Sequence, residues 1–374
     1  MTGRAYDEGG YAVGLFGFTK GANLAGIHLP DVDVSVQHLI QSTGTLVGEA
    51  ENATFITCCS VTGKIRTIPC YHNDTDGIII ATGGLIGRAA DALISFCHAD
   101  VTIGEEGLYA PKMGTEGYMS CVVGGLIGYT SSMSSPPGCN IAASHASGDI
   151  MMTTLDARIA HTINVGGFLG SDNSNDCRSQ FIGSYSSGNI TIAFPTGYVT
   201  NDSPRILNAG GFAGYARSVN TSFGCCYSYT SLALTYPSAS GGPIGEFYFG
   251  GFIGNQGSST CAYCYGDGRT IPDPSAFGSQ SSLYSDGFGT SAGSNKQCYH
   301  YATLSNFGMT VQQLMTDNTL KSEMPYQLID YYPPTNSYII SGTTKQWDSK
   351  NFWKQTPTDT AHPEINYDVL NVTP

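Results

Sequence analysis

The sequence predicts an all-β chain wound as a single-stranded parallel β-solenoid, or β-helix, of about seven coils. Three observations carry that prediction: a glycine-bounded apolar element that returns at a near-constant interval, a period-two strand behind it, and a composition suited to short strands. Only 12% of the 374 residues are charged, while glycine (48) and tyrosine (23) are abundant. That is a profile of strands and tight turns rather than of salt-bridged helices.

The element reads GLFG at Gly14 to Gly17, GTLVG at Gly44 to Gly48, and then GGLIG, GGLIG, GGFLG, GGFAG and GGFIG. Its closing glycines are Gly17, Gly48, Gly87, Gly128, Gly170, Gly214 and Gly254, separated by 31, 39, 41, 42, 44 and 40 residues. Self-similarity at this length marks a solenoid, a propeller or an array. Within each copy the apolar pair fills a core, and the glycines permit a tight bend or a close backbone approach.

Behind each element, small or apolar residues fall at alternate positions. Phe55, Thr57, Cys59, Val61, Gly63 and Ile65 make one such set, and Leu93, Ser95, Cys97, Ala99, Val101 and Ile103 the next. Polar and aromatic side chains such as Lys64, Asp100 and Asp149 take the intervening places. A period of two with one buried face is a strand. Small inward residues at one recurring offset suit coils stacked in register about 4.8 Å apart. A propeller blade would need four strands per unit, where the sequence displays two or three.

The alternation puts Cys59, Cys97, Cys226, Cys264 and Cys298 in one inward column, with Ser144 and Ser184 filling its middle. Such a column is either a ladder of buried thiols that packs as small apolar groups or a series of inter-coil disulfides. Cys58, Cys121, Cys139, Cys177, Cys225 and Cys261 fall outside it and are the better disulfide candidates, Cys225 with Cys261 first. One residue beyond the column, on the outward face, stand His98, His145, Tyr185, Tyr227, Tyr265 and Tyr299. Stacked coils would align them into an exposed aromatic stripe. Such a stripe stabilises the sheet by cross-strand stacking, offers a surface to another subunit, or stacks sugar rings.

The segments "VGLFGFTKGANLAGIHLPDVDVSV", "GTLVGEAENATFITCCSVTGKI", "GGFLGSDNSNDCRSQFIGSYSSGNITI" and "GGFIGNQGSSTCAYCYGDGRT" resemble the GLUG-motif repeats of adhesin-like bacterial surface proteins. The ending "MTVQQLMTD", "QWDSKNFWKQ" and "INYDVL" is similar to the short helix and Trp-Asp strand that close such arrays. The resemblance implies a repeat array over residues 1–303, a capping segment over 304–374, and a role in attachment. Right-handed winding follows from the resemblance and from the general preference of parallel crossovers. Inserts are expected between Tyr71 and Asp76, Gly104 and Ser120, and Thr270 and Lys296.

Function classes can be excluded or favoured from the same residues. A net charge of -13 opposes binding to nucleic acid or to an anionic membrane surface. No run of about 18 apolar residues occurs, so no membrane insertion is expected. The Cys261/Cys264 spacing stands without a second pair, so no metal site is assigned. Catalytic motifs are lacking, and no cofactor is expected. Twelve cysteines, with sequons at Asn52, Asn73, Asn189, Asn201, Asn220 and Asn371, point to an extracellular or cell-surface setting in which the start shows no signal peptide. The expectation is therefore a non-enzymatic structural or adhesive protein whose partners are itself, head to tail or laterally, or surface glycans. The alternative is a carbohydrate-binding module or a polysaccharide-active β-helix enzyme.

Overall fold

A computed structural model describes residues 4–5, 11–36, 41–67, 78–104, 119–132, 138–153, 162–173, 179–193, 205–216, 218–235, 245–262, 264–266, 282–286, 289–290, 294–296, 298–300, 337–340, 343–346, 353–354 and 364–365. The protein is an all-β parallel β-solenoid, with no helix among the described residues. Each coil traces four faces, shown by β2 (Tyr11–Val13), β3 (Phe16–Lys20), β4 (Asn23–Ala25) and β5 (His28–Val36). Equivalent strands of later coils stack on each, giving parallel sheets of nine, eight, eight and eleven strands. The ninth strand of the first sheet is β1 (Arg4–Ala5), which pairs antiparallel with β2.

The glycine elements form the bend between the first two faces, and their spacing is enforced by backbone contact. A Cβ on the closing Gly48, Gly87, Gly128, Gly170, Gly214 or Gly254 would lie 2.5–2.7 Å from the carbonyl oxygen of the closing glycine one coil earlier. A Cβ on the opening Gly14, Gly44, Gly83, Gly124, Gly166 or Gly210 would lie 2.4–2.7 Å from the amide nitrogen of the closing glycine one coil later. Neither distance leaves room for a side chain, so glycine is required on both sides of the bend.

The apolar residue inside that bend supplies the central column of the core. Leu46, Leu85, Leu126, Phe168, Phe212 and Phe252 are all fully buried. Phe168, Phe212 and Phe252 stack at 4.6 and 4.9 Å, and Phe223 meets Phe212 and Phe252 edge-on at 5.9 and 5.8 Å. Burying each such side chain contributes about 1.5–3 kcal/mol. The third face adds Ile56, Ile94, Ile141, Phe181 and Phe223, so the core passes from aliphatic to aromatic along the stack.

Two expectations are corrected here. Phe55 does not point inward: it is 47% exposed, and Ile56 beside it is fully buried. Alternation read straight through this segment fails because a left-handed residue turns the corner between the third and fourth faces. Gly26, Cys58, Phe96, Ala143, Gly183 and Cys225 all hold φ between 48° and 64° there. The corner residue shifts the parity by one, so the reading is right from Cys59 onward and reversed before it. The segment from Thr270 to Lys296 is also more than an insert. Ser282–Asp286, Gly289–Thr290 and Ser294–Lys296 continue the first three sheets in parallel. Register sets Asp286 opposite Gly250. The local "SDGFG" lacks the opening glycine, which is why the repeat was not legible.

In the C-terminal segment, Ser337–Ile340 pairs antiparallel with Thr343–Gln346 and Trp353–Lys354 with Glu364–Ile365. The expected helix over "MTVQQLMTD" lies outside the described residues. No helix is long and apolar enough to cross a membrane among those described.

Candidate functional site

The corner between the third and fourth faces gathers the residues with the most chemical potential. The left-handed corner residue is followed by an inward position and then an outward one, so a small polar column lies inside the wall and an aromatic row outside it.

Inside are Cys59, Cys97, Ser144, Ser184, Cys226 and Cys264, none more than 1% exposed. Each donates to the carbonyl two residues before it: Cys59 to Thr57 and Cys97 to Ser95 at 3.3 Å, Ser144 to Ala142 at 2.9 Å, Ser184 to Ile182 at 3.1 Å, Cys226 to Gly224 at 3.3 Å and Cys264 to Ala262 at 3.4 Å. The serines also accept from the coil before, at the amides of Cys97 (3.1 Å) and Ser144 (3.3 Å). The column thus satisfies backbone groups that the corner would otherwise leave unpaired. Cys298 is half-buried and follows in sequence.

None of the ten described cysteines is joined in a disulfide. Burial pushes the Cys97 thiol well up, and its sharing of a hydrogen bond with the Cys59 thiol adds to that. Burial alone lifts Cys121 to about 12, and it is the main cause of the same value at Cys139. Thiols held protonated this way are poor nucleophiles and poor metal ligands. Cys121 falls in a core column with Ile80, Ile163 and Leu207, and Cys139 donates to the Ala89 carbonyl at 3.4 Å. The first disulfide candidate is corrected: Cys225 is a left-handed corner residue, whereas Cys261 pairs in register with Phe223 and its thiol bonds Cys264. Cys58 occupies the equivalent corner near the start of the stack. Cys177 lies outside the described residues.

Outside the wall, register aligns His98, His145, Tyr185, Tyr227, Tyr265 and Tyr299 in one row. His98 and His145 stack at 3.9 Å, His145 and Tyr185 at 4.6 Å, and Tyr185 and Tyr227 at 4.9 Å, within 20° of parallel. The row is not the exposed stripe that the alternation suggested. His145, Tyr185, Tyr227 and Tyr265 are buried, Tyr227 completely. Rings stacked at the coil spacing cover one another's faces, so outward parity does not by itself mean contact with water. The row also begins earlier than expected, through Ser60 to His28, whose Nδ1 lies 2.8 Å from the Ser60 hydroxyl. The common offset behind Gly26 and Cys58 was the signal for it. Burial lowers the His98 pKa, opposed by the carboxylate of Asp100.

Three of the six sequons are described. Asn189 is exposed, and its side-chain amide donates to Asp149 at 2.9 Å while its carbonyl accepts from Ser231. Asn52 is left-handed at φ 49° and partly buried, and Asn220 is partly buried. Asn73, Asn201 and Asn371 lie outside the described residues. Among the described residues no group of three or more histidine, cysteine or acidic side chains could hold a metal ion.

No family model and no curated protein sequence matches this chain.

Proposed function

We propose that this chain is a non-enzymatic structural or adhesive protein of the cell exterior, a rigid rod that associates with itself or attaches to surface glycans. It is a GLUG-type array: seven right-handed coils begin on the glycine elements, and residues 304–374 cap them. The observation that carries the reading is what the reactive side chains do. Cysteines that other proteins use as nucleophiles or ligands donate here to carbonyls of their own wall. Histidines and tyrosines stack on one another from coil to coil. Chemistry-bearing residues are spent on holding neighbouring coils together, which is the economy of a scaffold.

Burial of the row also removes the aromatic surface on which a sugar ring would stack, so attachment falls to the outer polar faces and the ends. The test is surface labelling and fractionation of source cells, with electron microscopy of the isolated protein. Surface-exposed rods support the reading. A soluble intracellular protein, or one that depolymerises polysaccharide, overturns it.

A further inference from the structure

His98 and His145 are register neighbours in the aromatic row, and so are Tyr185 and Tyr227. The two joints are built alike. At each, the amide of the later residue donates to the carbonyl just before the earlier one: His145 to Cys97 at 2.9 Å, and Tyr227 to Ser184 at 3.1 Å. They differ in the rings that cover them, a pair of imidazoles with centroids 3.9 Å apart at one and a pair of phenols 4.9 Å apart at the other. Imidazoles change charge near neutrality and phenols do not.

The groups facing the histidine pair decide how it takes up protons. Burial disfavours the charged ring of His98, and the carboxylate of Asp100 on the same strand favours it. His98 has Ser60 in register on the coil before, whose hydroxyl lies 2.8 Å from His28 Nδ1. On the coil after, the Ser147 hydroxyl is 3.2 Å from His98 Nε2. A hydroxyl suits that nitrogen in either state, donating to it when it is bare and accepting from it when it is protonated. The other charges nearby are engaged: Lys64, opposite Thr102, with Asp33 at 3.6 Å, and Asp149, on the coil of His145, with the Asn189 amide at 2.9 Å. Tyr185 stacks on His145, which is only 7% exposed. A first proton at His98 therefore leaves the stack intact. A second, at His145, sets two like charges face to face where a phenol ring excludes the water that would screen them.

We propose that the joint between His98 and His145 is an acid-sensitive hinge in the solenoid wall: the stacked pair holds one proton, and a second drives the rings apart and loosens the two coils there. The tyrosine joint further along stays closed. Acid thus acts at one place along the rod, whatever the rod attaches to.

The test is an NMR titration of the full chain labelled at histidine, with amide hydrogen exchange measured from about pH 7 to about pH 4. His98→Phe and His145→Phe are run beside the wild type. Expected for the wild type are two protonation steps of the pair, separated by more than about one pH unit. Protection of the His145 amide, corrected for the intrinsic exchange rate, should fall about tenfold or more across that range while that of Tyr227 holds. Each phenylalanine variant keeps a stacked ring and removes the paired charge, so its joint should stay protected. Coincident titration of the two histidines, equal loss of protection at both joints, or a loss that persists in both variants overturns the hinge. The wild-type titration and the tyrosine joint decide the matter even where a variant folds poorly.

Discussion

The first coil and the coil that closes on Gly128 carry the same signature, an apolar pair ended by glycine, and they use it differently. At Gly128 a Cβ would press on the Gly87 carbonyl at 2.6 Å and on the Thr82 backbone at 2.8 Å. At Gly17 the nearest atom is 3.1 Å away. The apolar residue in the Gly128 bend, Leu126, is fully buried, whereas Leu15 is nearly half exposed. A repeat motif thus has no fixed energetic value: the coil on its open side sets it.

The comparison breaks most visibly with a side chain at the bend. Gly128→Val should cost more than about 4 kcal/mol or abolish cooperative unfolding, because the Thr82 and Gly87 backbone of the preceding coil must move. Gly17→Ala should cost less, about 1–2 kcal/mol, since a Cβ there meets a single close neighbour, the Ala12 carbonyl at 3.1 Å. Urea denaturation of the two variants measures this directly. Equal losses would mean that Gly17 is as enclosed as its counterparts.

The next effect lies in the apolar column. Phe212→Ala removes a ring stacked between Phe168 and Phe252 and should cost about 3–5 kcal/mol, while Phe16→Ala at the open end should cost under about 1 kcal/mol. Smaller again is exchange within the thiol column. Cys97→Ser should stay within about 1 kcal/mol, since Ser144 and Ser184 already fill equivalent places with the same bond to the carbonyl two residues back. Cys97→Val loses that bond and adds bulk, so it should cost about 1–3 kcal/mol. A valine variant as stable as the serine variant would show that the column serves packing alone.

Much of this was legible because a solenoid writes its geometry in register. Glycines spaced by about one coil fixed the bend, and the alternation after Cys59 fixed which thiols and rings share a column. What failed to show in the sequence came from two sources. A left-handed corner can be glycine, cysteine, phenylalanine or alanine, as Gly26, Cys58, Phe96 and Ala143 attest, so no residue type announced the parity shift that turned Phe55 outward. Burial of the aromatic row depends on rings covering one another across coils. Alternation along one strand reports the side of a wall, and only the stack decides whether that side is wet.

The row offers the smallest test, because His98 and Tyr227 within it meet water differently. His98, half-buried near the start, has a depressed pKa through burial; Tyr227, in the middle, is fully enclosed. A histidine whose pKa is lower folded than unfolded binds more protons when unfolded, so stability falls as pH falls. The His98 contribution is therefore complete above the ordinary value of 6.5 and is lost as pH descends through the lower folded value. Stability measured at about pH 7 and about pH 5 should decline less in His98→Phe, which keeps a ring to stack on His145. Tyr227→Phe should leave the decline as it is in the wild type, since it keeps the stacked ring and leaves His98 untouched. An unchanged decline in His98→Phe would place the proton uptake elsewhere in the molecule.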